Sequence, residues 1–318
     1  FYRKTTDMLF SFPVAPSMGY SSYYANVGDM RNRGVEIDLY GNIINTKNVR
    51  WDVNANFTWV ENKILKLDEE KKTTTVYDKS GNKYEGYASG STFVSEGLSL
   101  NSWYLKEFAG VDPETGSALY YKDNADGTIG TTTDATAATR YECGTSLPKV
   151  YGGFGLTFEF KGFDLSAGFS YQLGGQIYDG EYQNLMWTQN NTGQNMHKDL
   201  LNAWTASNAQ TVIPRWDNTG WGNLSQSACD FFLTKSNYLS LNNAQFGYTL
   251  PKSVLKKLRL SNLRVYVAGE NLFVLSCRKG LDPRISTSIG TMTSGSGIIS
   301  SGYYSAMRTV TGGITVNF

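Results

Sequence analysis

The sequence predicts an all-β protein, an antiparallel transmembrane β-barrel, and three observations carry that prediction. First, Phe154, Leu156, Phe158 and Phe160 share one parity before Lys161-Gly162, and Phe163, Leu165, Ala167, Phe169, Tyr171 and Leu173 continue the apolar row beyond it. A two-residue turn at that point pairs Phe160 with Phe163, Phe158 with Leu165, Leu156 with Ala167 and Phe154 with Phe169. Side chains alternate faces with period 2, so one face of this hairpin is apolar and the other holds Gly153, Gly155, Thr157, Glu159, Asp164, Ser166, Gly168 and Ser170. Such a profile suits a strand between lipid and water. Second, charged residues make up only 18% of the 318, with aromatics at 14%, 21 Tyr and 33 Gly. A cytosolic enzyme carries roughly 25% charged residues. Third, tight and long connections alternate along the chain.

Taken in order, Arg31 to Ile43 sets Val35, Ile37 and Leu39 against Glu36, Asp38 and Tyr40, and a polar turn follows at Asn45 to Asn48. The next strand alternates Trp51, Val53, Ala55, Phe57 and Trp59 with Asp52, Asn54, Asn56 and Thr58. At roughly 3.3 Å per residue its two tryptophans bracket an apolar band of ~25 Å, the spacing of aromatic girdles at two lipid interfaces. A soluble sheet with one buried face would show the same alternation on this strand alone. Leu98 to Gly110 and Ala118 to Lys122 read as weaker strands. Ala244, Phe246, Tyr248 and Leu250 form one row while Leu239 and Leu241 fall on the other parity, which predicts a bulge near Asn242. Leu263, Val265 and Val267 alternate next, and Val310, Ile314, Val316 and Phe318 share a face at the end. The count is about ten strands.

The tight connections are Asn45 to Asn48, Asp112 to Gly116, Lys161-Gly162 and Pro251 to Arg259. The long ones are Phe12 to Met30, Lys66 to Gly97, Asp123 to Leu147, Gly174 to Phe231 and Cys277 to Tyr303. Short turns on one side and long loops on the other is the asymmetry of outer-membrane barrels. Within the Gly174 to Phe231 stretch, Met196, Leu200 and Trp204 fall four apart and predict a short helix over Asn195 to Ala206.

Composition excludes several classes. Mean hydropathy is −0.35, and no window supplies the ~20 apolar residues of a spanning helix. A net charge of +1 offers no concentrated basic face for nucleic acid. Cys143, Cys229 and Cys277 lie far apart, without zinc-ligand spacing. The chain opens on Phe1-Tyr2-Arg3-Lys4, without Met or a signal peptide, and reads as mid-strand, so a piece of something longer or a processed front is expected.

The search for chemistry finds little. His197 is the sole histidine, and on a helix Asp199 would point to a different face, so the two do not form a base and its orienter. Asp123-Asn-Ala-Asp-Gly127 hints at a calcium loop but puts Lys122 at the first ligand position and lacks the closing Glu, which reads as a plain turn. No catalytic residue, metal site or cofactor is expected. The loop aromatics Tyr178, Trp187, Trp216 and Trp221 are candidates for contacting a substrate or partner, since exposed aromatic faces stack on sugars or anchor proteins. They would equally serve to pack the long loop on itself.

Several stretches carry a resemblance: Asn26 to Glu36, Gly110-Val-Asp-Pro-Glu-Thr-Gly116, Tyr238 to Pro251, Leu263 to Phe273, Gly280-Leu-Asp-Pro-Arg284 and the terminal Phe318. Together and in this order they resemble the SusC/RagA class of TonB-dependent outer-membrane transporters. The resemblance implies that residues 1–318 are the C-terminal portion of a barrel of about 22 strands with a plugged lumen, the plug lying upstream. It implies import of an oligosaccharide or peptide across the outer membrane of a Gram-negative, Bacteroidetes-like cell. The expected partners are a SusD-like surface lipoprotein, TonB acting through an N-terminal region outside this chain, membrane lipid and lipopolysaccharide. Val310, Ile314, Val316 and Phe318 would form the assembly signal. An open sheet cannot sit in a bilayer with unpaired backbone groups, so either the Phe1 strand pairs with the Phe318 strand in a small closed barrel or further chain closes a larger one; the absent start signal favours the larger. A rival from another class is a surface-displayed or soluble β-sheet glycan-binding protein, which requires a second sheet over the Phe154 to Phe160 row.

Overall fold

The computed structural model describes residues 1–13, 19, 22–78, 80–188, 193, 195–217, 224, 227–277, 280–284, 298–299 and 305–318. Eight strands form a wall: β1 (Tyr2–Pro13), β2 (Ser22–Asn45), β3 (Val49–Lys66), β4 (Val150–Phe160), β5 (Phe163–Leu173), β6 (Tyr238–Thr249), β7 (Asn262–Ser276) and β8 (Thr309–Asn317). They pair antiparallel in chain order, and the sheet is open, with β1 and β8 at its edges.

The register follows the apolar parity. Phe160 faces Phe163, Phe158 faces Leu165, Leu156 faces Ala167 and Phe154 faces Phe169. Lys161 and Gly162 both take positive φ (47° and 92°), the backbone a two-residue hairpin turn needs if its twist is to match the strands. At Asn242 the register of β6 slips against both neighbours, so Leu239 and Leu241 join the same face as Ala244 and Phe246. The extra residue is useful: the Asn242 carboxamide oxygen accepts from the Ser240 hydroxyl at 2.8 Å and the Ser170 hydroxyl at 3.2 Å, on the polar face. Gly152 is needed for close approach, since a Cβ there would lie 2.2 Å from the Asn56 carbonyl. The Tyr171 ring closes over this gap, and its hydroxyl donates to that same carbonyl at 3.1 Å.

The apolar face of the wall is bare. Phe154, Phe158 and Phe160 are 39%, 37% and 40% exposed. Val35, Ile37, Leu39, Phe246, Val265, Val267, Val310 and Ile314 are exposed too. Among the described residues no second sheet covers the Phe154 to Phe160 row. Hydrocarbon is the solvent that matches the apolar band of this face, and between its two edge strands the sheet pairs its own backbone.

Four expectations need correction. The wall has eight strands rather than ten, because Leu98 to Gly110 and Ala118 to Lys122 belong to small sheets outside it. Strands of four to six residues cannot cross the apolar band, which takes ~9–11. Consequently Asp112 to Gly116 is a hairpin turn on the long-connection side, closed by Asp112 N–H donating to the Ser117 carbonyl at 2.9 Å. The Phe12 to Met30 loop shrinks to 14–21, since β2 already begins at Ser22. The alternation itself survives: connections 46–48, 161–162 and 250–261 lie at one end, and 14–21, 67–149, 174–237 and 277–308 at the other. The helix expected over Asn195 to Ala206 is a shorter 3-10 turn, Lys198–Asn202, whose N-cap is His197.

The 67–149 and 174–237 excursions build a separate layer on the long-connection side. Thr74–Tyr77, Lys83–Ser89, Thr92–Ser95, Ser102–Lys106 and Arg140–Thr145 form a five-stranded sheet, and Phe108–Val111, Ala118–Asp123 and Ile129–Thr132 a three-stranded one. Their core contains Trp103, Leu105, Tyr120, Cys143, Tyr178, Tyr182, Cys229 and Phe232. Here burial behaves as in a water-soluble domain.

Candidate functional site

The polar face of the wall is built from small and amide side chains at alternate positions. Asn54, Asn56, Gly153, Gly155, Thr157, Ser166, Gly168 and Asn243 line a shallow concavity of ≈ 370 Å³. Asn56 fixes its own side chain by accepting from Gly153 N–H at 2.7 Å. Toward the tight turns, Lys47, Arg50, Glu159, Asp164, Gln245 and Arg264 line a second concavity of ≈ 600 Å³. Arg264 forks onto Asp164, with Nε to Oδ1 at 3.0 Å and Nη2 to Oδ2 at 2.5 Å. Asp52, itself buried, receives Asn42 at 2.5 Å and Arg50 at 2.7 Å. Two ion pairs, Arg50–Asp52 within β3 and Asp164–Arg264 between β5 and β7, thus offset charge on this hydrophilic lining.

The Gly280 to Arg284 stretch also finds its role on this face. Arg284 forks onto Asp282 (2.9 and 2.8 Å), and its Nη1 donates to Ser240 Oγ at 2.9 Å, while Ser276 Oγ donates to the Leu281 carbonyl at 2.6 Å. The start of the last long connection is pinned to the ends of β6 and β7.

The four loop aromatics divide. Tyr178 is 6% exposed, its ring among Trp103 and Phe232, and its hydroxyl donates to Gln183 at 2.8 Å. It belongs to the core of the outer layer. Trp187 is half-buried, Trp216 is 49% exposed, and Trp221 lies outside the described residues. Of the three described, only Trp216 presents an exposed ring.

A concavity the sequence reading passed over lies in the outer layer. Tyr77, Asp78, Glu107, Phe108, Tyr121, Asp123, Ile129, Tyr141 and Asp230 line ≈ 980 Å³. Its carboxylates hold the walls in place: Asp78 accepts from Asn82, Ser80 and Tyr84, Asp230 from Phe108 N–H at 2.8 Å, and Asp123 from Tyr141 Oη at 2.5 Å. Hydrogen bonds, those from Asn82 foremost, keep the Asp78 carboxyl below its ordinary range. Glu142, in the adjoining ≈ 450 Å³ recess, is pushed the other way by burial. The signal in the sequence was the Tyr120-Tyr121 pair: one ring enters the core and its neighbour faces the concavity.

His197 and Asp199 come together after all, with Nδ1 3.3 Å from Oδ2. His197 is an extended cap residue (φ −72°, ψ 139°), so helical facing does not apply to it. Its Nδ1 accepts from Asp199 N–H at 3.2 Å, and Tyr182 Oη donates to Asp199 at 2.9 Å, a capping arrangement. Asp123 to Gly127 is a turn, with Asp126 accepting from Thr128 N–H at 3.0 Å. Among the described residues no group of His, Cys, Asp and Glu could hold a metal ion. All three cysteines are free thiols, and burial pushes Cys229 up to about 12.

No family model matches the chain. Among curated proteins it is 27% identical over 340 residues to TonB-dependent receptor P3 of Formosa agariphila, covering 99% of this chain and 31% of that protein. TonB-dependent receptor SusC of Bacteroides thetaiotaomicron is 25% identical over 296 residues, covering 91% of this chain and 28% of SusC. The structure of the RagAB peptide transporter superposes over 100% of this chain and 32% of its own, with TM-score 0.76 and 29% identity. The open-open state of the RagAB peptide importer gives 0.75. The chain spans about a third of the length of each. The fold of this chain thus recurs within transporters of a non-enzymatic family. The chain is homologous to the SusC/RagA-type TonB-dependent receptors of the Bacteroidetes outer membrane.

Proposed function

We propose that this chain forms wall and outer rim of an importer that takes a bulky nutrient, an oligosaccharide or a peptide, across the outer membrane. The observation that carries this reading is the eight-stranded wall itself, lipid-compatible on one face and hydrogen-bonded, hydrophilic and catalytically empty on the other. Transport needs no chemistry on the cargo, only a wet path and a capture surface. The outer layer supplies such a surface in the ≈ 980 Å³ concavity, where Tyr77 and Tyr121 offer exposed rings beside carboxylates and backbone. Exposed Trp216 adds another stacking face. Closure of the barrel, the plug and the segment engaging TonB belong to the rest of the receptor. A SusD-like lipoprotein lies over the rim and shares capture. Lipid and lipopolysaccharide surround the wall. On β8, Val310, Ile314 and Val316 share the apolar face, and Phe318 stands beside Ser261, whose Oγ donates to its carbonyl at 3.1 Å. This exposed row serves as the strand that the barrel-insertion machinery reads.

The test is uptake by cells carrying the full-length receptor as their only copy. Labelled oligosaccharide and peptide pools should be depleted in cells with TonB and not in cells without it. Equal depletion in cells lacking the receptor would remove the proposal.

A further inference from the structure

The three tight connections, 46–48, 161–162 and 250–261, hold six cations and no carboxylate: Lys47, Lys161, Lys252, Lys256, Lys257 and Arg259, all exposed. The long connections 67–149, 174–237 and 277–308 together carry 19 Asp and Glu against 15 Lys and Arg, so positive charge without carboxylate is confined to the tight turns. The turns form one row. Lys161 N–H donates to the Asn48 carbonyl at 3.2 Å, and Thr249 N–H to the Gly162 carbonyl at 2.7 Å. The cations border the apolar belt. Lys161 Nζ lies 5.2 Å from the centre of the lipid-facing Phe160 ring, and Phe163 packs on Tyr248 (4.4 Å) and Phe246 (5.9 Å) on the same face. In the short helix Lys252–Leu258, Val254 and Leu258 lie four apart on one side and are exposed, with buried Leu255 next to them. At 100° per residue, Lys252, Lys256 and Lys257 fall on the opposite arc. Exposed aliphatics, an aromatic end to the belt and a fringe of exposed cations are the features of a surface that sits at a headgroup layer.

We propose that these turns are a docking surface for anionic phospholipid of the periplasmic leaflet, with Lys161 and the Lys252–Leu258 helix holding the headgroup phosphate. The proposal rests on the outer-membrane barrel reading, in which short turns face the periplasm, and adds to it the leaflet and the headgroup charge. Continuity with the bare apolar wall selects lipid over a soluble polyanion as occupant. A lysine at an anionic surface contributes about a fivefold preference, so several acting together should select phosphatidylglycerol over phosphatidylcholine by about tenfold or more.

The experiment uses the full-length receptor in mild detergent, titrated with equimolar phosphatidylglycerol and phosphatidylcholine, with retained lipid counted by native mass spectrometry. Wild type should retain phosphatidylglycerol selectively. Lys161→Gln, Lys252→Gln, Lys256→Gln and Lys257→Gln combined should lose most of that selectivity while keeping the heat-modifiable mobility of a folded barrel. Lys83→Gln with Lys198→Gln, on the opposite side, should keep it. Equal retention of the two lipids by wild type overturns the proposal, as does undiminished selectivity in the four-site variant. Loss of sedimentation with isolated peptidoglycan in that variant, with lipid selectivity intact, would assign the surface to the cell wall and also overturn it. A receptor that imports cargo but does not discriminate lipids defeats this inference alone. One that selects phosphatidylglycerol but imports nothing defeats the transport reading alone.

Discussion

Phe154 and Phe93 are the same residue in two different solvents. Phe154, in the wall, is 39% exposed and stacks on Phe169 at 4.7 Å with its outer edge uncovered. Phe93, in the outer layer, is fully buried against Val76, Leu98 and Tyr104. Polar groups reverse in step: Asp52 and Ser240 of the wall are buried on the inner face, while the outer layer sends Glu69, Asp126 and Asp134 into solvent. Inside-out packing in one region and ordinary packing in the other fits lipid around the wall and water around the rim. Nothing in residue type distinguishes the two. Strand length does, since the wall strands run 9 to 24 residues and the rim strands 2 to 7.

That contrast can be broken from either side. The largest effect is expected from Trp103→Ala, which empties a fully buried site whose Nε1 donates to the Gln176 carbonyl at 3.2 Å. It should cost the outer layer about 3–5 kcal/mol. Limited proteolysis should cut 67–149 readily while the wall keeps its heat-modifiable mobility. If the wall unfolds as well, the two regions are one cooperative unit.

Phe154→Arg follows. A guanidinium on the lipid face costs about 2–4 kcal/mol near the bilayer midplane, so the folded fraction in membranes should fall. Thr157→Arg, on the hydrophilic face of the same strand, should assemble normally. Equal damage from both would reverse the assigned faces. Below these comes the Asp164–Arg264 pair, which links β5 to β7 across β6 and is about a quarter exposed. A double-mutant cycle with alanine at both positions should give a coupling of about 1 kcal/mol or less. The smallest change belongs to Glu142→Gln. Burial raises the Glu142 carboxyl above its ordinary 4.5, so it binds its proton more tightly folded than unfolded. The outer layer therefore loses stability as pH rises from 4.5 through the raised value. Glutamine removes that loss, and its advantage should be absent below 4.5 and grow as pH rises above it, in a urea titration followed by Trp fluorescence. An advantage independent of pH would contradict burial as the cause.

The hairpin around Lys161-Gly162 was legible to the residue because two constraints coincide there: period-2 alternation fixes the face, and a turn requiring positive φ fixes the register. The bulge at Asn242 was legible for the same reason, as a change of parity within one apolar run. Leu98 to Gly110 misled because Trp103 and Leu105 alternate as a lipid-facing row would, although their partners are Cys143, Tyr178 and Phe232 in a separate core. Tyr178 shows why both readings stood open: an aromatic in a long loop can be a contact surface or a keystone, and only its neighbours, Trp103 and Phe232 here, separate the two. The concavity bounded by Tyr77, Tyr121 and Asp230 was not legible, since it draws residues more than 150 positions apart onto one surface.

By itself the sequence determined everything set by a local period: which residues of each wall strand share a face, where the hairpins turn, where one strand gains a residue, and that no part of the wall needs a spanning helix. Tertiary structure alone decided which strands belong to the wall, which loop aromatics are interior and which carboxylates gather around the rim concavity. The reason is physical. Alternation records that a strand separates two environments, whereas the identity of those environments depends on what else packs there, and that is settled by contacts between residues far apart in the chain.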